Sequence, residues 1–230
     1  MYGYVYDATY GLVIIGMIIS IAANQFISST YRKYSQVMSA GGVTGAAFAR
    51  EMLQEAGLYE VSVKRVPGQL TDHYDPRSQQ VFLSEAVYRN RSVAALGVAA
   101  HECGHALQDA EDYKPMRLRA LLVPVAQFGA QSALPLILMG LLLSLPGLIS
   151  LGIIAFSASL LFQIITLPVE FDASRRALQF MRTHQAISDE EVAMVRRVLT
   201  AAAFTYIAAT LVTALQLLRL WLLFGKRNDQ

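Results

Sequence analysis

Charge is scarce in this chain: 16% of its 230 residues are Asp, Glu, Lys or Arg, balancing to a formal +2. So small a net charge gives no argument for nucleic acid, and none is expected as a partner. Cysteine is almost absent. The single Cys103 cannot form an internal disulfide, and it says nothing about redox compartment. Residues 1–9 contain no Lys or Arg, unlike the basic leader of a secretory signal, so the apolar run that follows is expected to be a retained anchor. Histidine occurs four times, as His73, His101, His105 and His184, so any clustering of histidines carries information.

Apolar residues fill the space that charge leaves, at 54% of the chain. They are gathered into runs long enough to cross a bilayer. The first covers residues 10–27 and the second residues 120–145. The third, residues 147–169, follows after a turn at Pro146-Gly147 too short for anything but an antiparallel hairpin. The fourth, residues 201–224, is interrupted by Thr205, Thr210, Thr213, Gln216 and Arg219, and an amphipathic helix on the membrane surface is its alternative. Eleven Lys and Arg residues lie between the first and second runs and five between the third and fourth, whereas the opposite side receives only Lys226 and Arg227. That asymmetry predicts that residues 30–118 and 170–199 face the cytoplasm.

Within the first of these polar regions stands His101-Glu102-Cys103-Gly104-His105. Residues four apart on an α-helix share a face, so His101 and His105 can ligate one ion, and Glu102 flanks that face within reach of a metal-bound water. Two imidazoles leave room for a third protein ligand and an open position, as a catalytic zinc requires. Asn90-Arg91-Ser92 predicts the helix entry, with Ser92 or Asn90 as N-cap, and the run to residue 108 has no proline. The plainer alternative is a helix whose histidines only hydrogen-bond to neighbours. Cys103 is about 200° round the helix from each histidine, so a buried thiol is its expected role.

The expected fold class is an α-helical multi-pass membrane protein of about four transmembrane helices with a small α+β zincin-like domain. Residues 45–56 predict a helix closed by Gly57, residues 61–66 and 81–83 short strands, and residues 84–90 a helix before the metal helix. The strand 81–83 suits either an edge that pairs with an extended substrate or an ordinary core position. The chain divides into an anchor (1–29), a domain carrying the metal helix (30–118), a hairpin (119–169), a second piece of the domain (170–199) and a last span with tail (200–230). The third ligand is open among His73, His184, Asp172 and Glu170. Glu170 is favoured because a hairpin that leaves near Arg119 returns near Val169 on the side of the metal helix.

With Glu170-Phe171-Asp172-Ala173-Ser174-Arg175-Arg176-Ala177 after the hairpin, the chain resembles membrane zinc metallopeptidases of the gluzincin type. In layout it is similar to the heat-shock and CAAX-processing proteases, and closer to the bacterial neutral zinc metallopeptidases. Leu70-Thr71-Asp72-His73-Tyr74-Asp75-Pro76-Arg77 and Val81-Phe82-Leu83-Ser84 extend the resemblance over most of residues 30–185. It implies one Zn2+ per chain held by His101, His105 and Glu170, with Glu102 as general base in peptide-bond hydrolysis. Heat-shock-type proteases place Asp four residues after the ligand Glu to orient a zinc histidine. Ser174 stands there instead, leaving Ser174 or Asp109 as the orienter. His73, Tyr74, Tyr88, His184 and Arg175 are all candidates to stabilise an oxyanion.

Three other readings compete. A non-enzymatic zinc-binding membrane scaffold or adaptor would not need Glu102. An intramembrane protease would need a longer apolar stretch than residues 93–100 before His101. A transporter would carry more ionisable groups in its spans than Arg219. The expected partners are therefore the lipid bilayer and a peptide or membrane-protein substrate.

Overall fold

A computed structural model describes residues 9–183 and 187–224. Among the described residues, four helices are long and apolar enough to cross a membrane: α1 (Tyr10–Tyr34), α5 (Lys114–Leu142), α6 (Pro146–Thr183) and α7 (Asp189–Phe224). Between α1 and α5 lie α2 (Gly45–Glu55), β1 (Ser62–Val66), β2 (His73–Asp75), β3 (Gln80–Ser84), α3 (Glu85–Tyr88) and α4 (Val93–Ala110). The fold is that of a helical membrane protein with a small α+β domain. Each long helix reaches past its apolar run into the neighbouring polar region, while α5 stops at Leu142, short of the end of its run. The most apolar windows of the four helices are only 6% to 33% buried. So much exposed apolar surface needs hydrocarbon around it.

The chain forms two compact units. One contains the residues up to Asn24, Leu118–Thr166 and those from Thr205 on. In it α5 and α6 form the expected hairpin, turning at Ser144 with φ +54° and entering α6 at Pro146, whose fixed φ suits a first helical position. Their backbones nearly touch. A Cβ on Gly129 would lie 2.4 Å from the Ala155 carbonyl oxygen, and one on Gly152 would lie 2.9 Å from that of Ala133. Small residues at this seam are what allow the approach. The same unit packs α1 against α7, where Arg219 Nε donates to Thr9 Oγ1 at 3.2 Å and its guanidinium lies 4.7 Å from the Tyr10 ring.

The other unit contains Gln25–Arg117 and Leu167–Phe204. Its sheet has the order β1-β3-β2, with β1 parallel and β2 antiparallel to β3. The strand predicted at 81–83 is thus central, hydrogen-bonded on both sides, and has no free edge for a substrate. β2, an edge strand, carried no sequence signal because three residues are too few to show alternation. The core gathers Phe48, Met52, Leu53, Val81, Leu83, Val87, Leu96, Met181 and Val195, all essentially fully buried. Phe48 meets Phe180 edge to face at 5.8 Å, joining α2 to α6. At roughly 1.5–3 kcal/mol per large apolar side chain, these contacts allow a domain this small to include pieces of α6 and α7 in its core.

Candidate metal centre

α4 begins where the sequence predicts. Ser92 is its N-cap, its hydroxyl accepting from the Ala95 amide at 3.2 Å, and Asn90 Oδ1 in turn accepts from the Ser92 amide at 2.9 Å. One turn separates His101 from His105, and their rings meet edge to face at 4.8 Å. Glycine at position 104 lets α6 approach this turn. A Cβ there would lie 2.5 Å from the Ala173 carbonyl oxygen, so backbone packs directly on backbone. Glu170, one turn earlier on α6, is thereby brought to the histidines.

The two Nε2 atoms converge on a single carboxylate oxygen. Glu170 Oε2 is 3.3 Å from His101 Nε2 and 3.7 Å from His105 Nε2. Ligand atoms of all three residues lie within 4.8 Å of one another. A tetrahedral zinc with bonds of about 2.0–2.1 Å holds neighbouring ligand atoms about 3.3–3.4 Å apart, which the two separations at Glu170 Oε2 approach. The partners of the other ring nitrogens suit it as well. His105 Nδ1 donates to Gln108 Oε1 at 3.0 Å, and His101 Nδ1 lies 3.1 Å from Ser174 Oγ, which can accept its proton. With both protons on Nδ1, the Nε2 lone pairs face Glu170, an arrangement that a cation between them would stabilise. Burial opposes a charged His105, yet the bond to Glu170 and the charges of Glu102 and Glu170 outweigh it and raise its pKa. The pocket therefore favours positive charge at its centre.

Glu102 is buried outside the ligand cluster, within electrostatic reach of His101, His105, Glu170 and Asp72. Burial pushes its carboxyl up, reinforced by Glu170 and Asp72 and opposed by the histidines. A raised carboxylate beside a metal site has the proton affinity that a general base needs.

Other candidates fall elsewhere. His73 is exposed, stacks on Phe82 at 4.8 Å and contacts the Thr71 carbonyl through Nδ1 at 2.8 Å. His184 lies outside the described residues. Asp172 is buried but engaged by Arg175, by Arg176 Nε at 2.5 Å and by Gln108 Nε2 at 3.0 Å. Asp109 accepts from the Tyr74 hydroxyl at 2.9 Å, leaving Ser174 as the residue at the ring of His101. Tyr88 accepts from Arg50 Nη2 at 2.7 Å. Cys103 is fully buried, its thiol pushed up by burial and directed at the Ala49 carbonyl, 3.5 Å away.

Sequence reasoning missed Gln108. It is fully buried, accepts from His105 through Oε1, and through Nε2 donates to the Val169 carbonyl at 2.8 Å and to Asp172. One amide thus ties a histidine of α4 to the turn of α6 that carries Glu170. Its signal was a glutamine three residues after His105, on the same helical face.

A protein family described as "Putative neutral zinc metallopeptidase" matches residues 9–225. The chain belongs to this family. It is also 47% identical over 219 residues to a Bacillus subtilis (strain 168) protein named "Putative membrane protease YugP", covering 95% of this chain and 97% of that one. No solved structure matches it. In this member of the neutral zinc metallopeptidase family, the cluster of His101, His105 and Glu170 is the group among the described residues that can hold a metal ion.

Proposed function

We propose that the chain is a membrane-bound zinc endopeptidase with His101, His105 and Glu170 as ligands and Glu102 as general base. The observation that carries this reading is the convergence of both Nε2 atoms on one oxygen of Glu170, with a buried carboxylate beside them that is not itself a ligand. Zinc bound there would supply Lewis acidity, polarising a peptide carbonyl and lowering the pKa of a water. Glu102 takes a proton from the attacking water and returns it to the departing amine. Ser174 and Gln108 hold the two imidazoles in the tautomer that leaves Nε2 free for the ion. Asp172, fixed by Arg175 and Arg176, anchors Gln108 in turn. The cation asymmetry supports a site on the cytoplasmic side, and membrane attachment favours substrates in membrane proteins or their cytoplasmic loops.

The test measures zinc per chain, and hydrolysis of an unfolded protein substrate, in detergent-purified wild type, Glu170→Ala and Glu102→Gln. Wild type should hold about one zinc, and Glu170→Ala should lose it. Glu102→Gln should keep the zinc while hydrolysis falls by about 10²–10⁴-fold. Zinc retained by Glu170→Ala, or hydrolysis retained by Glu102→Gln, would refute the assignment.

A further inference from the structure

A second site lies away from the metal centre, in the groove between the C-terminal end of α1 and the start of α7. It has a volume of about 400 Å3 and is lined by Phe26, Tyr34, Lys33, Arg196, Arg197 and Thr200, together with two more hydroxyl residues of α1. Three cations and no carboxylate are among the described residues of this lining. An adjoining recess adds Arg182 and contains Asp189.

Two of the cations flank one side chain. Tyr34 is buried, its hydroxyl accepts from Arg197 Nη1 at 3.2 Å, and Lys33 Nζ lies 5.4 Å from the centre of its ring. Next to this polar end is an apolar one. Phe26 and Phe204, 45% and 48% exposed, pair edge to face at 5.8 Å. Phe26 precedes Lys33 by two helical turns, about 10 Å along α1. That is the order in which a phospholipid presents an anionic headgroup and the first part of its acyl chains. The position along each helix agrees, since the apolar run of α1 ends at Ile27, that of α7 starts at Ala201, and the cations stand just outside both.

We propose that this groove binds an anionic phospholipid, its headgroup phosphate among Lys33, Arg196 and Arg197 and an acyl chain against Phe26 and Phe204. The apolar floor argues for a lipid over a free anion, and the excess of cations argues for an anionic lipid over a zwitterionic one.

Native mass spectrometry of the full chain in detergent tests this, with dioleoyl phosphatidylglycerol, dioleoyl phosphatidylcholine and inorganic phosphate as separate probes. Phosphatidylglycerol should be retained in preference to phosphatidylcholine. Removing one cation should weaken it about fivefold, so Lys33→Gln with Arg196→Gln should weaken it roughly twenty-five-fold. Arg91→Gln, an exposed cation outside the groove, should change nothing. Melting in lipid-free detergent checks that the variants fold, and the two single variants replace the double one if it does not. Equal retention of the two lipids, unchanged binding in the variants, or displacement of phosphatidylglycerol by millimolar phosphate would overturn the proposal.

Discussion

Gly104→Ala tests the packing argument most directly. The added methyl would lie 2.5 Å from the Ala173 carbonyl oxygen, and the obstacle is backbone, which no rotamer change can move aside. A comfortable carbon–oxygen approach is about 3.3 Å, so α4 and α6 must separate by roughly 0.8 Å. Metal–ligand distances tolerate about 0.2 Å, so Glu170 would be carried well outside the range that His101 and His105 share. Zinc affinity should therefore fall by at least 10–100-fold. At saturating zinc this removes about 1.4–2.7 kcal/mol of linkage stabilisation. Without zinc the variant should lose up to about 2 kcal/mol, because overpacking costs about 1–3 kcal/mol and alanine regains about 1 kcal/mol of helix propensity over glycine. The assay is competition against a fluorescent chelator, paired with melting curves in zinc and in EDTA. Wild-type zinc affinity in a folded Gly104→Ala protein would refute the claim that this contact positions Glu170.

Four further outcomes follow from the same structure. Gln108→Leu leaves the Nδ1 proton of His105 and the Val169 carbonyl without their partner, and should weaken zinc about 10–100-fold with Glu102 untouched, as read by chelator competition. Cys103 should resist alkylation in the folded chain and react only on unfolding, because its thiol is buried and neutral. With that silent background, a Ser78→Cys probe in intact and lysed cells tests the cytoplasmic assignment, which labelling from outside would refute. Gly129→Ala should destabilise the α5–α6 hairpin by up to about 2 kcal/mol in detergent melts, after the same helix-propensity gain, whereas Gly147→Ala, which meets nothing within 4 Å, should not.

Much of this was legible before any coordinates because it is periodic or one-dimensional. Apolar run length marks the spans, and a spacing of four residues puts His101 and His105 on one face of a helix whose cap, Ser92, is also written locally. The hairpin follows from a short turn, and it made Glu170 the favoured third ligand. The rest depended on approach distances, which linear spacing does not encode. The central position of β3 was not legible because β1, its parallel partner, is not its neighbour in sequence, and the strand between them, β2, is only three residues long.

The sequence by itself determined that this is a membrane protein with two histidines and a glutamate set for metal chemistry on one helix. Hydrophobic run length and helical period suffice for that. Only the tertiary structure decided which atoms meet: Glu170 Oε2 at both Nε2 atoms, Ser174 rather than Asp109 at His101, and Gln108 between His105 and α6. Each of these contacts joins residues of α4 and α6 or lies beside that seam. The seam exists because Gly104 has no side chain to keep the two backbones apart.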